Sequence, residues 1–329
     1  MGTALVTGLT GQDGGYLAEQ LVAAGDVVHG VVSPAQDPDG VPAHLRVLGD
    51  ALVVHEADLR DLDALTALVD EVEPDRLFNL AGMSSVAASW EDPVGALEVN
   101  ARPVLGLLEH LHRRSERGAA PTRFVQASSA EVFAGCGRTP IDESCPVTPL
   151  NPYGSAKALA HQSVGMYRER GLHASSLVLF NHESPRRPTR FVTRKITVGV
   201  AAIAAGRADR LTLGNLAVHR DWGWAPDYTR AMVLAAAAGT PADYVVATGR
   251  AHSLFDLVET AFAQVGIPDW RPYVVSDAAL IRPADAEVLV GDSTKLRTRL
   301  GWAPTVDFSG MVAAMVAADV AALAGELPG

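Results

Sequence analysis

The sequence predicts an α/β protein: a Rossmann-like doubly wound parallel sheet with a smaller C-terminal substrate-binding lobe. Three observations carry that prediction. Short β-branched runs alternate with longer amphipathic segments, the pattern of repeated βαβ units. A glycine-rich loop directly follows the first run and opens a helix, as a dinucleotide cradle requires. The 329 residues are about twice the ~150 expected of one domain, and the second half turns toward polar, arginine-rich stretches.

Thr3–Thr7 (TALVT) is the first expected strand, and helical periodicity covers Tyr16–Ala24. Val27–Val32 and Ala51–His55 read as strands, Leu62–Val72 as a helix and Arg76–Ala81 as a strand. Helices over Leu97–Arg113 and Ser155–Arg170 flank a strand at Arg123–Ser128, and Ser175–Phe180 is a sixth strand. Polar stretches around Asn181–Lys195 and Gly214–Tyr228 then separate helices. Short strands are expected at Asp243–Ala247 and Trp270–Val275, with helices at Thr294–Gly301 and Gly310–Ala324. Residues 1–180 form the expected cofactor lobe, to which segments near 215–250 return. Residues 181–329 form most of the substrate lobe, so the two interleave in sequence.

Apolar residues make up 48% and charged residues 20%, the balance of an ordinary soluble globular protein. A net charge of −11 repels phosphate backbones and anionic membranes, so neither nucleic acid nor a membrane is an expected partner. An anionic ligand then needs a local cluster of cations. Cys136 and Cys145 fit no metal spacing and no disulfide framework, and read as free thiols in a reducing cytoplasm. No basic region precedes an apolar run at the N-terminus. No uncharged apolar stretch reaches the ~18 residues of a membrane span. A cytoplasmic enzyme is expected.

Gly8-Leu9-Thr10-Gly11-Gln12-Asp13-Gly14 reads G-x-x-G-x-x-G. Glycines here permit a tight turn, a close backbone approach to a pyrophosphate and close packing of helix on strand. The helix N-terminus then offers free N–H groups to the phosphates. Asp58 and Leu59, after the third strand, are placed to meet an adenine ring, and Leu80, Ala81 and Gly82 to lie under the cofactor. At the end of the second strand an acid would bond the adenosine ribose and an arginine would receive a 2′-phosphate. Ser33-Pro34, followed by Asp37 and Asp39, supplies neither. The local acidity favours NAD, with NADP as the alternative.

Tyr153 and Lys157 stand four residues apart, on one face of a helix. A free tyrosine has a pKa of ~10; a neighbouring ammonium and an oxidised nicotinamide would lower it. The tyrosine then takes a hydroxyl proton while hydride leaves the same carbon, and the lysine bonds the nicotinamide ribose. The strand Arg123–Ser128 runs into Ser129 and Glu131, at the carboxyl end where ligands of open α/β sheets bind. Ser129 is placed to bond a substrate hydroxyl and Glu131 to act as acid or base. Arg186, Arg187, Arg190, Arg194 and Lys195 lie within ten positions, and Arg220 precedes Asp221-Trp222-Gly223. Guanidinium forks suit a diphosphate.

With these residues in place, the chain resembles the extended short-chain dehydrogenase/reductase superfamily and, within it, the GDP-mannose 4,6-dehydratase family. The strings that carry the resemblance are TGLTGQDGGYLAEQL, QASSAEVF, TPLNPYGSAK, LFNHESPRR, FVTRKIT, RDWGWAPDY and GDSTKL with LGWAP. The resemblance implies a tightly held nicotinamide cofactor, a six- or seven-stranded Rossmann lobe and a nucleotide-sugar lobe. It implies Tyr153 as the base for oxidation at sugar C4, assisted by Lys157, and Glu131 as the acid/base. Asn181, Lys195, Arg220 and Arg282 fall where the family holds the nucleotide, and Ser84, Ser85, Glu183, Arg187, Val192 and Gly214 complete the expected substrate contacts. It also implies a homodimer built on two paired helices per subunit, with a tetramer as the alternative. Ser129 stands where the family usually has threonine, Ala130 where it has serine, Phe133 where it has tyrosine, and Ser33-Pro34 where it has paired arginines.

The expected function is therefore a nucleotide-sugar 4,6-dehydratase acting on GDP-mannose or a related sugar nucleotide. It oxidises C4, removes water across C5–C6 and returns hydride to C6. Two rivals stand beside it. A 4-epimerase or 4-ketoreductase of a related GDP- or ADP-linked hexose or heptose uses the same Tyr153 and Lys157 without needing Glu131. A non-catalytic dinucleotide sensor on the same fold would need none of the catalytic set.

Overall fold

The computed structural model describes residues 2–34, 41–277 and 288–325. The first half of the chain alternates strands and helices. β1 (Thr3–Thr7) leads to α1 (Gln12–Ala23), and β2 (Val27–Val32) to the short α2 (Ala43–Arg46). β3 (Leu52–Glu56), α3 (Leu62–Val72) and β4 (Arg76–Asn79) follow, then α4 (Val86–Glu91), α5 (Pro93–Asn100) and α6 (Arg102–Glu116). β5 (Arg123–Ser129), α7 (Pro152–Glu169) and β6 (Ala174–Leu179) complete this half.

Side-chain caps set several helix starts. The Asp61 carboxylate accepts from the Ala64 N–H at α3, and the Asn151 amide oxygen from the Gly154 N–H at α7, satisfying donors that a helix leaves open. The periodicity over Leu97–Arg113 predicts one helix, but the backbone breaks at Ala101 between α5 and α6. Pro103 has no N–H to give the Val99 carbonyl and its ring clashes there, so the chain restarts.

The second half contributes β7 (Asn181–Glu183), α8 (Val192–Ala204), β8 (Leu211–Leu213), β9 (His219–Arg220), β10 (Trp222–Trp224) and α9 (Ala225–Ala237). β11 (Asp243–Val246), β12 (His252–Ser253), α10 (Leu254–Gln264), β13 (Val274–Ser276), β14 (Val288–Leu289), α11 (Thr294–Leu300) and α12 (Phe308–Ala324) close the chain. The strand expected over Trp270–Val275 divides into a 3-10 turn at Arg271–Tyr273 and β13, because Pro272 cannot donate to a ladder.

Among the described residues, seven strands form one parallel sheet in the order β11-β6-β5-β4-β1-β2-β3. The order in which strands are added reverses between β1 and β4, which opens a crevice at their carboxyl ends. Alternate residues of the sheet face two different helix layers. Val6, Phe78 and Val178 pack with Leu17 of α1 and Met232 of α9. Leu5, Leu77 and Phe124 pack with α3, α6 and α7 through Leu68, Leu107 and Val164. A separate core joins α8, α10 and α12 through Val200, Phe262 and Met311.

Candidate active site

The glycine loop sits at the carboxyl end of β1. Gly8 has φ +75°, and a Cβ there would lie 3.0 Å from the Ala81 backbone. At Gly14 a Cβ would lie 2.1 Å from the Gly8 carbonyl oxygen. Glycine is therefore required at both places, and Gly11 stands at the N-cap of α1. Thr10 occupies the turn between them. The Thr7 hydroxyl donates to the Asn79 amide oxygen at 2.8 Å and accepts from the N–H groups of Leu80 and Ala81. This fixes the segment 80–82 beside the glycine loop.

These residues fit a dinucleotide on observations of their own. Asn100 is buried, and both polar atoms of its amide lack a partner among the described residues. It faces Gly82, whose φ is +152° and where a Cβ would meet the Asn100 oxygen at 2.2 Å. The buried Ser128 hydroxyl is likewise unpartnered. Buried polar groups of this kind mark a place where a ligand completes the hydrogen bonding. Asn100 escaped the sequence reading because one asparagine inside a helical pattern carries no signal of its neighbour.

A cavity of about 930 Å³ opens beside this cradle. Ser129, Glu131, Tyr153 and Lys157 all line it. So do Asp13, Leu80 and Gly82 from the cradle side, and Ser84, Ser85, Asn181, Glu183, Arg187, Val192, Gly214 and Arg220 from the other. Tyr153 is 9% exposed, and its N–H donates to the Ser89 hydroxyl at 3.1 Å. Its ring centroid is 5.9 Å from Lys157 Nζ, which donates to the Ala127 carbonyl at 3.0 Å. The Ser129 hydroxyl accepts from the Glu131 N–H, and Glu131 Oε2 accepts from the Asn151 amide at 2.7 Å.

Electrostatics here differ from the sequence expectation. Burial pushes the Tyr153 hydroxyl up to about 12, against the opposing influence of the Ser129 side chain. Burial also pulls the Lys157 ammonium down to about 8, with the Asp13 carboxylate opposing. Desolvation therefore dominates Tyr153, and the groups that pull it down are Ser129 and Arg187.

The arginine-rich segment divides in space. Arg187 and Arg190 line the cavity and flank the Phe191 ring at 3.6 and 5.1 Å. Arg187 also pairs with the buried Glu183 at 3.2 Å, and Glu183 accepts from Thr193. Arg186 instead stacks on Tyr16 and pairs with Glu19, Arg194 pairs with Asp319, and Lys195 is exposed on α8. Arg186, Arg187 and Arg190 lie in the turn before α8, and Arg194 and Lys195 in its first turns, so the chain changes direction between them, which closeness in sequence conceals.

Gln12 is committed within the protein: its amide donates to the His182 carbonyl and accepts from Ser184. Asp58 forms a close ion pair with Arg60 in a shallow cleft away from the main cavity, and Leu59 packs against the inner core. Ser33 follows the end of β2. Arg282, Asp37 and Asp39 lie outside the described residues. His182 and Asn151 were not among the expected site residues. Each is found through a partner distant in sequence, Asp13 and Glu131 respectively.

A family model described as GDP-mannose 4,6 dehydratase matches residues 5–315. The chain belongs to the GDP-mannose 4,6-dehydratase family. GDP-mannose 4,6 dehydratase 2 of Arabidopsis thaliana is 40% identical over 96% of this chain and 86% of its own length. The GDP-mannose 4,6-dehydratase of Vibrio cholerae is 38% identical over 96% of this chain and 93% of its own. Among solved structures, the UDP-glucose 4-epimerase of Thermus thermophilus, in complex with NAD, superposes with a TM-score of 0.81 at 26% identity, covering 96% of this chain and 98% of that one. RMD from Pseudomonas aeruginosa, complexed with NADPH, gives 0.79 at 24% identity over 98% of this chain and 100% of that one. Membership of the dehydratase family agrees with the carboxylate that this site adds to the tyrosine–lysine pair. Among the described residues no helix is long and apolar enough to cross a membrane.

Proposed function

We propose that this protein is a nucleotide-sugar 4,6-dehydratase acting on GDP-mannose or a close relative of it. The observation that carries the reading is Glu131, which lines the same cavity as Ser129, Tyr153 and Lys157. A 4-epimerase or 4-ketoreductase has no chemical need for that carboxylate.

Tyr153 takes the proton of the C4 hydroxyl while Ser129 bonds the same oxygen. A ketone at C4 acidifies the proton on C5. Glu131 removes that proton and delivers it to the C6 hydroxyl, which leaves as water. The proton stored on Tyr153 returns to C5, so the protein ends in its starting state. A bound nicotinamide dinucleotide supplies the two-electron exchange that opens and closes this cycle, and its positive ring adds the charge needed to ionise Tyr153. Lys157, at hydrogen-bonding reach of the β5 end, would hold the ribose of that group. Arg187, Arg190 and Arg220 offer forks to the substrate diphosphate, and Asn181, Gly214, Lys195 and Arg282 complete the proposed nucleotide contacts.

The same reading extends to the cofactor and assembly. Ser33-Pro34 offers no cation to a 2′-phosphate, which favours NAD over NADP, tightly bound. Residues 1–180 with α9 and β11 make the cofactor lobe, and the rest mainly the substrate lobe. Leu159 and Met166, seven apart on α7 and 42% and 54% exposed, with Leu105 on α6, form an apolar face for a homodimer in the cytoplasm. The deciding test is Glu131→Gln incubated with GDP-mannose and analysed by mass spectrometry. Product lighter than substrate by one water, about 18 Da, is expected from the parent and not from the variant. Undiminished water loss by the variant refutes the reading.

A further inference from the structure

We infer that Asn151 is a positioning residue that aims the Glu131 carboxylate and locks it to the helix carrying Tyr153. This rests on the reading of Glu131 as the C5 base. Asn151 is 5% exposed and serves two partners at once. Its Oδ1 accepts from the Gly154 N–H at 2.8 Å, and its Nδ2 donates to Glu131 Oε2 at 2.7 Å. The first bond decides the second. A backbone N–H can only donate, so the amide oxygen must face Gly154 and the NH₂ must face Glu131. An N–H donated to one carboxylate oxygen fixes the direction in which the whole group points.

The geometry closes a ring of contacts. Glu131 leaves the end of β5 with its N–H on the Ser129 hydroxyl. Ser129 lines the same cavity as Tyr153, which is two residues along from Asn151 in the first turn of α7. The Tyr153 N–H in turn donates to Ser89 of α4 at 3.1 Å. One amide thus ties the group that acts at C5 to the helix holding the group that acts at C4. Their separation does not depend on the long loop between residues 134 and 150. A carboxylate on a short turn has several rotamers, and holding it in one is what makes attack on a single proton efficient.

The test separates this role from plain support of α7. Serine and aspartate both cap helices about as well as asparagine, yet neither presents an N–H to Glu131. Asn151→Ser and Asn151→Asp, with bound cofactor, are mixed with GDP-mannose. Nicotinamide absorbance is followed, together with uptake of solvent deuterium at C5. Asn151→Ser is expected to keep the parent melting temperature within about 3 °C, whereas Asn151→Asp sets a second carboxylate against Glu131 and should lower it. The rate of water loss relative to C4 oxidation should fall at least about ten-fold, so that reduced cofactor accumulates. Equal slowing of both steps, or no change in their ratio, overturns the inference. Glu131→Gln serves as the reference: if it stalls at the same point and the Asn151 variants do not, only the positioning role falls. If Glu131→Gln itself loses water normally, the base assignment falls and this inference falls with it.

Discussion

The Asp13 carboxylate accepts a hydrogen bond from His182 Nε2 at 2.8 Å, joining the first turn of α1 to β7 at the floor of the cavity. His182 Nδ1 donates to the Phe180 carbonyl at 2.7 Å. Both ring nitrogens face acceptors, an arrangement that favours the protonated ring. Burial alone would lower His182, but the charge and hydrogen bond of Asp13 outweigh it and raise the group above 6.5. Burial likewise works to raise Asp13, and His182 with Arg187 lowers it below 3.8.

The signs fix a pH window. The His182 contribution is complete below 6.5 and fades as pH rises through its raised value. The Asp13 contribution is complete above 3.8 and fades as pH falls through its lowered value. Melting temperature should therefore fall as pH rises above neutrality. His182→Gln should lose that slope and cost on the order of 3 kcal/mol at pH 6. Parallel melting curves for parent and variant between pH 6 and pH 9 would refute the pairing.

Lys157 is held near 8 against an ordinary 10.5. Its buried charge destabilises the fold fully below pH 8, and the cost disappears as pH rises to 10.5. Lys157→Met should be more stable than the parent at pH 7 by up to roughly 3 kcal/mol, while activity is lost. The Ala127 carbonyl keeps the Gln126 amide as a donor in the variant. Denaturant titration at pH 7 and pH 10 should show the advantage shrinking with pH.

Removal of the Tyr153 hydroxyl takes away the C4 base and leaves the cavity wall intact. Tyr153→Phe should reduce turnover by about 100-fold or more with no transient change in nicotinamide absorbance. This distinguishes it from Glu131→Gln, where the transient persists.

Two glycines make opposite predictions. Gly14→Ala drives a methyl to 2.1 Å from the Gly8 oxygen, so soluble yield and cofactor retention should collapse. At Gly165, inside α7, nothing lies within 4 Å of an added Cβ. Gly165→Ala should be neutral or stabilising by about 0.5–1 kcal/mol, as read by thermal melting.

The proposed dimer face has its own check. Leu159→Glu or Met166→Glu places a charge on the α7 surface. Light scattering should show a dimer for the parent and a monomer for either variant. A monomeric parent would refute the assembly.

The fold and the chemical end of the site were legible because they are local. β1, the glycine turn and α1 announce themselves in consecutive residues, as does the Tyr153–Lys157 spacing. Contacts between distant segments were not. Asn100, Asn151 and His182 gain meaning only from Gly82, Glu131 and Asp13, brought to them by the sheet. The cation cluster at 186–195 shows the same limit in reverse: Arg187 and Arg190 reach the cavity, while Arg186 and Arg194 pair with Glu19 and Asp319. The break at Ala101 was legible in principle through Pro103, but the surrounding apolar periodicity masked it.

β11 pairs with β6 in register from Asp243↔Ser176 to Val246↔Leu179, after the chain has already laid down β7, α8 and β8–β10. The outer edge of β6 therefore stays open during synthesis until residue 246 has emerged. A fragment cut after residue 180 would present that bare edge, an invitation to pair with other chains. Anyone wishing to exchange the substrate lobe for that of another sugar-nucleotide enzyme cannot move a single cassette. α9, β11 and α11 must stay with the host sheet, so the graft needs several junctions, each placed where the chain crosses between cores.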